Sequence, residues 1–298
     1  MREAGSPGRL DAQAIRATRI AVPTRDMNTP SSHPLDEATR LVPAEDGTLR
    51  GHTHPAYANM VGPFGGATAA TMLNAALTHP ARLGDPVALT VNYAGPVADG
   101  EFRIHAVPVR TNRSTQHWSM TMTQGSEVTT TATAFFALRR ETWASTEAGF
   151  PTVPSADSLP RMDSSRFAQW TKCYDMRFVK GFWPDGSTPE QELDSVSTLW
   201  IRDDPPRPMD FVSLAAICDS FFPRVMIRRP RRVPAGTVSL TTYFHADAKH
   251  LARVGEKHVL ATACASRFGL GYHDQSAEIW SEGGELLATS HQVVYFKE

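Results

Sequence analysis

The sequence is poor in cysteine, with Cys173, Cys218 and Cys264 the only three in 298 residues. Their odd number and wide spacing exclude a disulfide framework and the close pairs of zinc or redox sites, which implies a reducing compartment. Long apolar runs are also missing, so neither a secretory core nor a membrane span is expected, and the reading is of a soluble, cytoplasmic protein. Charge of one sign is not in surplus either: 30 Lys+Arg stand against 31 Asp+Glu. That balance excludes the basic excess of a nucleic-acid binder and the acidic tail of a solvating segment, and points to a small-molecule partner. No phosphate-cradling Gly-rich loop, nucleophile elbow or His-Glu-x-x-His pair is present, and neither a cofactor nor a metal is expected. His52 and His54 in "GHTHPAY" alternate as they would on a strand, but no third ligand stands at a metal-like spacing, so they read as surface histidines.

What is present divides the chain. Residues 1–41 are polar and carry Pro and Ser, the composition of a flexible arm, and Met27 is a second candidate start. A second composition shift, rich in Pro, Ser, Asp and Thr, marks a linker over 142–168. The units on either side, 42–141 and 169–298, share one plan. "VALTVNYAGP" (87–96) is echoed by "VSLTTYFHAD" (238–247), and "GSEVTTTATAFFAL" (125–138) by "GGELLATSHQVVYF" (283–296). A helix-like run precedes the first echo in each unit, at 64–79 and 211–226. A spacing of this size is far beyond the roughly 20–50 residues of solenoid repeats, so it reads as a duplicated domain.

In the first run Ala67, Ala69, Ala70, Met72, Leu73, Ala75, Ala76 and Leu77 cover nearly every side, as in a buried helix. The segments behind it carry the β-branched and aromatic residues of half-buried strands, with Gly-Ser (125–126) and Gly-Gly (283–284) at hairpin positions. Each unit is therefore expected to be α+β, an antiparallel sheet curled around one long helix.

One charge interrupts the second run: Asp219 in "SLAAICDSFF" (213–222). It reads either as a surface carboxylate, solvated or paired with Arg224 or Arg228, or as a buried one, since Leu214, Ala215, Ala216, Ile217, Phe221 and Phe222 populate all faces around it. A buried carboxylate must be hydrogen-bonded or shifted in pKa, and such groups gather at functional sites. Aligning the two halves on their echoes puts Met72 opposite Asp219, so only the second half carries this charge.

"GPFGGATAATMLNAA", "TYFHAD" and the closing "ATSHQVVYF", in that order and spacing, resemble the acyl-CoA thioesterase II-like family, whose fold is a tandem (double) hotdog. The resemblance covers about residues 45–298 apart from the linker. It implies a catalytic set of an Asp on the second helix, a Ser or Thr at the start of the next strand and a Gln on the last strand, matched here by Asp219, Thr237 and Gln292. It also implies an acyl-CoA substrate and a substrate-binding Phe64, Gly65 and Gly66, with the backbone N–H groups of Gly65 and Gly66 as oxyanion donors; for the glycines, close helix–strand packing is the competing reading. Thr237 and Gln292, which both donate and accept, beside a proton-accepting Asp219 fit direct water attack without an acyl-enzyme.

Other features stay open at this level. "MIRRPRRVP" (226–234) is either a solvated loop or a grip on the phosphates of coenzyme A. Asp274 and Gln275 in "HDQSAEIW" belong either near the site or to a polar strand or turn. The long polar insertion "GFWPDGSTPEQELDS" (181–195) is a lid or a loop, and Ala246 and Asp247 follow Phe-His where relatives often have a basic residue. The alternatives to a hydrolase are a non-catalytic acyl-CoA binding protein and a hydratase or dehydratase, the latter needing His245 or His291 beside Asp219. A homo-oligomer is compatible with free sheet edges.

Overall fold

The computed structural model describes residues 33–182 and 192–298. Most of the expected arm and most of the 181–195 insertion lie outside the described residues.

Helix α1 (Pro34–Ala38) opens the described chain. Two short strands follow, β1 (Val42–Pro43) and β2 (Leu49–His52), then the long helix α2 (Gly65–Leu77). Strands β3 (Asp85–Tyr93), β4 (Glu101–Thr111), β5 (Thr115–Gln124) and β6 (Glu127–Ala137) complete the first half. The second half runs β7 (Tyr174–Lys180), β8 (Ser197–Asp203), α3 (Phe211–Ile217), α4 (Arg224–Arg228), β9 (Ala235–Phe244) and α5 (Ala248–Val254). It ends with β10 (Val259–Cys264), β11 (Phe268–Gly269), β12 (Tyr272–Ser281) and β13 (Leu286–Phe296). Every strand pairing is antiparallel, and all join one sheet in the order β1-β2-β4-β5-β6-β3-β9-β13-β12-β10-β8-β7, with β11 hanging off β12.

The order is the same read from either end, which is the signature of the duplication. β3 and β9 meet at the centre with Thr90 opposite Thr241, their hydroxyls 3.0 Å apart. The alignment of 87–96 with 238–247 equates these two threonines, so they sit on a pseudo-two-fold axis. The register also places the other echoes: Leu89 faces Ala134 in the first half, and its equivalent Leu240 faces Gln292 in the second. The expected α+β double hotdog is thus the observed fold.

Burial follows the sequence pattern. On β4 the alternate residues Phe102, Ile104 and Ala106 face the core, and α2 is buried along almost its whole length. Its small residues let α3 approach closely: a Cβ on Gly66 would stand 2.4 Å from the carbonyl oxygen of Ala216. Fully burying side chains such as Met72 and Leu73 stabilises the fold by about 1.5–3 kcal/mol each.

Three expectations need correction. Residues 34–41 are not all flexible arm, because Leu35 and Ala38 are buried and Thr39 accepts a 2.8 Å hydrogen bond from Asn74 of α2. The 142–168 segment does not merely connect: Ala156, with Ala148, Val153 and Leu159 beside it, packs on Trp200, Leu260 and Trp280 on the outer face of the second sheet half, and Pro154 accepts from the Trp200 indole at 2.8 Å. The helix expected over 211–226 breaks after Ile217. Asp219 and Ser220 close short turns onto Ala216 and Ile217, the Ser220 hydroxyl takes the Ile217 carbonyl at 2.7 Å, and Pro223 disfavours helical backbone at Phe222.

Candidate active site

The break in the helix creates the site. Asp219 stands two residues past the end of α3, in the turn between α3 and α4, rather than on the helix itself. It is only 9% exposed, so the surface-carboxylate reading fails. Arg224 is committed elsewhere, and the partner of Asp219 is an amide: Gln292 Nε2 donates to Asp219 Oδ1 at 2.8 Å. Gln292 is buried at the middle of β13, and its Oε1 accepts from the Thr237 hydroxyl at 3.2 Å. Thr237 is the third residue of β9. The three side chains therefore form one chain of hydrogen bonds, Thr237 to Gln292 to Asp219, and the two donations fix which way the Gln292 amide faces.

The first half supplies the opposite wall. α2 begins at Gly65 with Phe64 as its N-cap, and no side chain caps it. Its first-turn N–H groups lack intrahelical acceptors and carry the positive end of the helix dipole. The Gly66 N–H is directed at Asp219. Gly65 leaves the carboxylate its room, since a Cβ there would lie 2.6 Å from Asp219 Oδ2 and 3.4 Å from the Tyr93 hydroxyl. That hydroxyl donates to the Gly65 carbonyl at 2.8 Å and anchors the glycine pair from β3. Phe64 is placed differently from expectation: its ring is buried and stacks on Trp170 at 4.2 Å, which leaves its backbone, not its ring, at the site.

Burial pushes the Asp219 carboxyl up to about 7, against the opposing pull of the Gln292 amide and the Gly66 N–H. The group is thus poised to gain or lose a proton near neutrality, the property of a general base. Burial, and then the Asp219 charge, hold the Tyr93 phenol well above its ordinary pKa, so it remains a neutral donor. Burial pushes the neighbouring Cys218 thiol up to about 12, which removes it as a nucleophile at neutral pH.

Other sequence candidates lie elsewhere. His291 faces away from Gln292 on β13 and meets Ser276, and His245 meets Thr289, so neither joins Asp219. Asp274 accepts from the backbone of Ser266 and Arg267 as a turn anchor. Gln275, by contrast, is buried directly across from Gln292. His54 binds Glu37 at 3.1 Å. A small cleft on another flank of α2, lined by Thr68, Thr71, Val97, Phe102 and Met122 among others, contains none of the candidate site residues. Sequence reasoning missed Tyr93, although comparison of the halves could have found it: its equivalent in the alignment is Phe244.

The chain matches two family models, that of the acyl-CoA thioesterase N-terminal domain over residues 54–137 and that of the acyl-CoA thioesterase C-terminal domain over residues 148–296. Among solved structures it is similar to a conserved hot dog fold protein of unknown function from Alicyclobacillus acidocaldarius, with 48% identity, a TM-score of 0.86, and coverage of 90% of this chain and 99% of that one. It shares its fold with an acyl-CoA thioesterase II from Mycobacterium marinum at 19% identity and a TM-score of 0.70, covering 88% and 98% of the two chains. The tesB protein of Mycobacterium avium subsp. paratuberculosis is comparable, at 17% identity and a TM-score of 0.71 over 89% and 98%. No curated protein matches significantly. With both of the family's domains present in order, and the Asp219 turn within the second, this chain belongs to the acyl-CoA thioesterase family of double-hotdog proteins.

Proposed function

We propose that this protein hydrolyses acyl-CoA thioesters by direct attack of water, with Asp219 as general base. The observation that carries the proposal is the buried Asp219 carboxyl, held near a pKa of 7 between the Gln292 amide and the uncapped start of α2. In this reading Thr237 and Gln292 orient a water whose oxygen attacks the thioester carbonyl carbon while its proton passes to Asp219. Negative charge develops on the carbonyl oxygen at the first turn of α2. Because the Gly66 N–H already faces Asp219, the half-exposed Gly65 is the donor open to substrate. Collapse breaks the C–S bond, the thiolate takes the proton from Asp219, and free acid and coenzyme A leave.

The coenzyme A part of the proposal rests on the arginines at 228, 229, 231 and 232, which lie between the Asp219 turn and the Thr237 strand. The partly exposed Arg229 and the exposed Arg231 bring two guanidinium groups to the carboxylate of Glu298, a basic rim suited to phosphates. The hydratase reading is left without its Asp–His dyad at this turn.

The test is release of free thiol from short-, medium- and long-chain acyl-CoAs by the wild type and by Asp219→Asn. Turnover by the wild type and its loss in the variant support the proposal. Saturable acyl-CoA binding without turnover by the wild type would replace it with the acyl-binding reading.

A further inference from the structure

Arg224 is wholly buried, and none of its hydrogen-bond acceptors among the described residues is a carboxylate. Nε donates to Gln275 Oε1 at 3.0 Å and to the Phe222 carbonyl at 3.1 Å, and Nη2 donates to that same carbonyl. Nη1 donates to the Ser195 carbonyl at 2.9 Å and to Ser197 Oγ at 2.8 Å. The Phe221 ring centroid is 5.7 Å from the guanidinium carbon. Burial pushes the pKa of the group down to about 9, so it stays charged at neutrality.

A buried guanidinium held by neutral groups is a poor way to stabilise a fold, since an apolar side chain of similar volume avoids the desolvation cost altogether. The first half fills the equivalent position without a cation. By strand register Trp118, which faces Ala134, is the equivalent of Gln275, which faces Gln292. The first half buries an indole whose N–H is satisfied by Gln116 at 3.0 Å, where the second buries an amide whose oxygen Arg224 satisfies. Two of the groups that Arg224 holds adjoin the candidate site. The Phe222 carbonyl belongs to the turn that presents Asp219, and Gln275 stands across the β12–β13 ladder from Gln292, at the separation where same-face side chains touch.

We propose that Arg224 is a positioning residue for the reaction: by gripping the Phe222 carbonyl and the Gln275 amide together, it fixes the Asp219 turn against the strand face that carries Gln292. Its chemical consequence rests on the thioesterase reading above. A guanidinium bridges two acceptors with one rigid fork, which a lysine ammonium does not reproduce.

The experiment compares wild type with Arg224→Lys, Arg224→Met and the double variant Arg224→Met/Gln275→Leu, which removes the cation and its amide partner together. For each, thermal stability is measured between pH 5 and 8.5, and kcat, KM and the pH profile on the best acyl-CoA are recorded. Arg224→Met leaves Gln275 Oε1 unsatisfied and loses stability; the double variant regains it. Yet both, and Arg224→Lys, are expected to lose kcat by about 10–100-fold with KM changed less than about threefold, the size of effect that a misplacement near 1 Å produces. The acid limb of the pH profile moves to lower pH as the loosened turn admits water to Asp219.

A stable double variant with wild-type kcat and an unmoved acid limb would overturn the proposal. If the wild type turns over no acyl-CoA, the thioesterase reading fails on its own. The pH-dependence of stability contributed by Asp219 then still decides the positioning role: it shrinks in the double variant if Arg224 holds the turn, and is unchanged if it does not.

Discussion

Asp219→Asn is expected to make the protein more stable while making it inactive. Burial raises the Asp219 carboxyl from its ordinary 3.8 to about 7. The folded state therefore holds a proton that the unfolded state has released, and stability falls as pH rises between those two values. Each pKa unit corresponds to about 1.4 kcal/mol, so the carboxylate costs the fold on the order of 4 kcal/mol at pH 8, of which about 1.5 kcal/mol is already present at pH 5. Asparagine has nearly the same shape, its carbonyl oxygen accepts the Gln292 hydrogen bond, and it never ionises. Between pH 5 and pH 8 the wild type should lose roughly 2–3 kcal/mol that the variant keeps, or about 5–10 °C in Tm at this chain size. Thermal unfolding followed by tryptophan fluorescence across that range reads the difference directly. Parallel pH profiles for the two proteins would refute the buried, proton-holding carboxyl.

The same carboxyl sets the activity profile: kcat/KM is expected to rise with pH and to level off above about pH 7, where Asp219 is ionised, and a profile flat from pH 5 to 9 would contradict its role as base. Gly65→Ala places a methyl 2.6 Å from Asp219 Oδ2, which should cost about 1–3 kcal/mol of stability by overpacking and lower kcat by about 10–100-fold. Replacing Arg229 and Arg231 by Gln should raise KM for an acyl-CoA while leaving hydrolysis of the matching acyl-pantetheine, which lacks the nucleotide phosphates, unchanged; equal effects on both substrates would remove the phosphate role of the rim.

Much of the fold was legible because two local signals agreed. The all-round apolar run at 64–79 required a wrapping sheet, and the echoed strands announced a second copy whose register then places Thr90 on Thr241 and Ala134 in the position of Gln292. Asp219 stood out as a charge in an apolar run, whereas Thr237 and Gln292 were picked out by the family resemblance and then set apart by the apolar Pro86 and Ala134 at the equivalent positions of the first half. The helix break at 218 was less visible: Phe222-Pro223 signals it, but Leu214 to Phe222 keep an apolar density that reads as one helix. The outer-face packing of 148–159 was hidden because isolated apolar residues in a Pro-rich segment carry no period. The burial of Arg224 was hidden because its acceptors, three of them backbone carbonyls, come from Phe222, Ser195, Ser197, Ala263 and Gln275, a set that only tertiary folding assembles.

The central claim is that Asp219 takes a proton from water during thioester hydrolysis. The most direct measurement is thiol release from the acyl-CoA panel by wild type and Asp219→Asn, each shown to be folded by its thermal transition. The account predicts clear turnover on at least one chain length by the wild type and a loss of at least about 100-fold in the variant, the scale of general-base catalysis. Equal rates in the two proteins would contradict it.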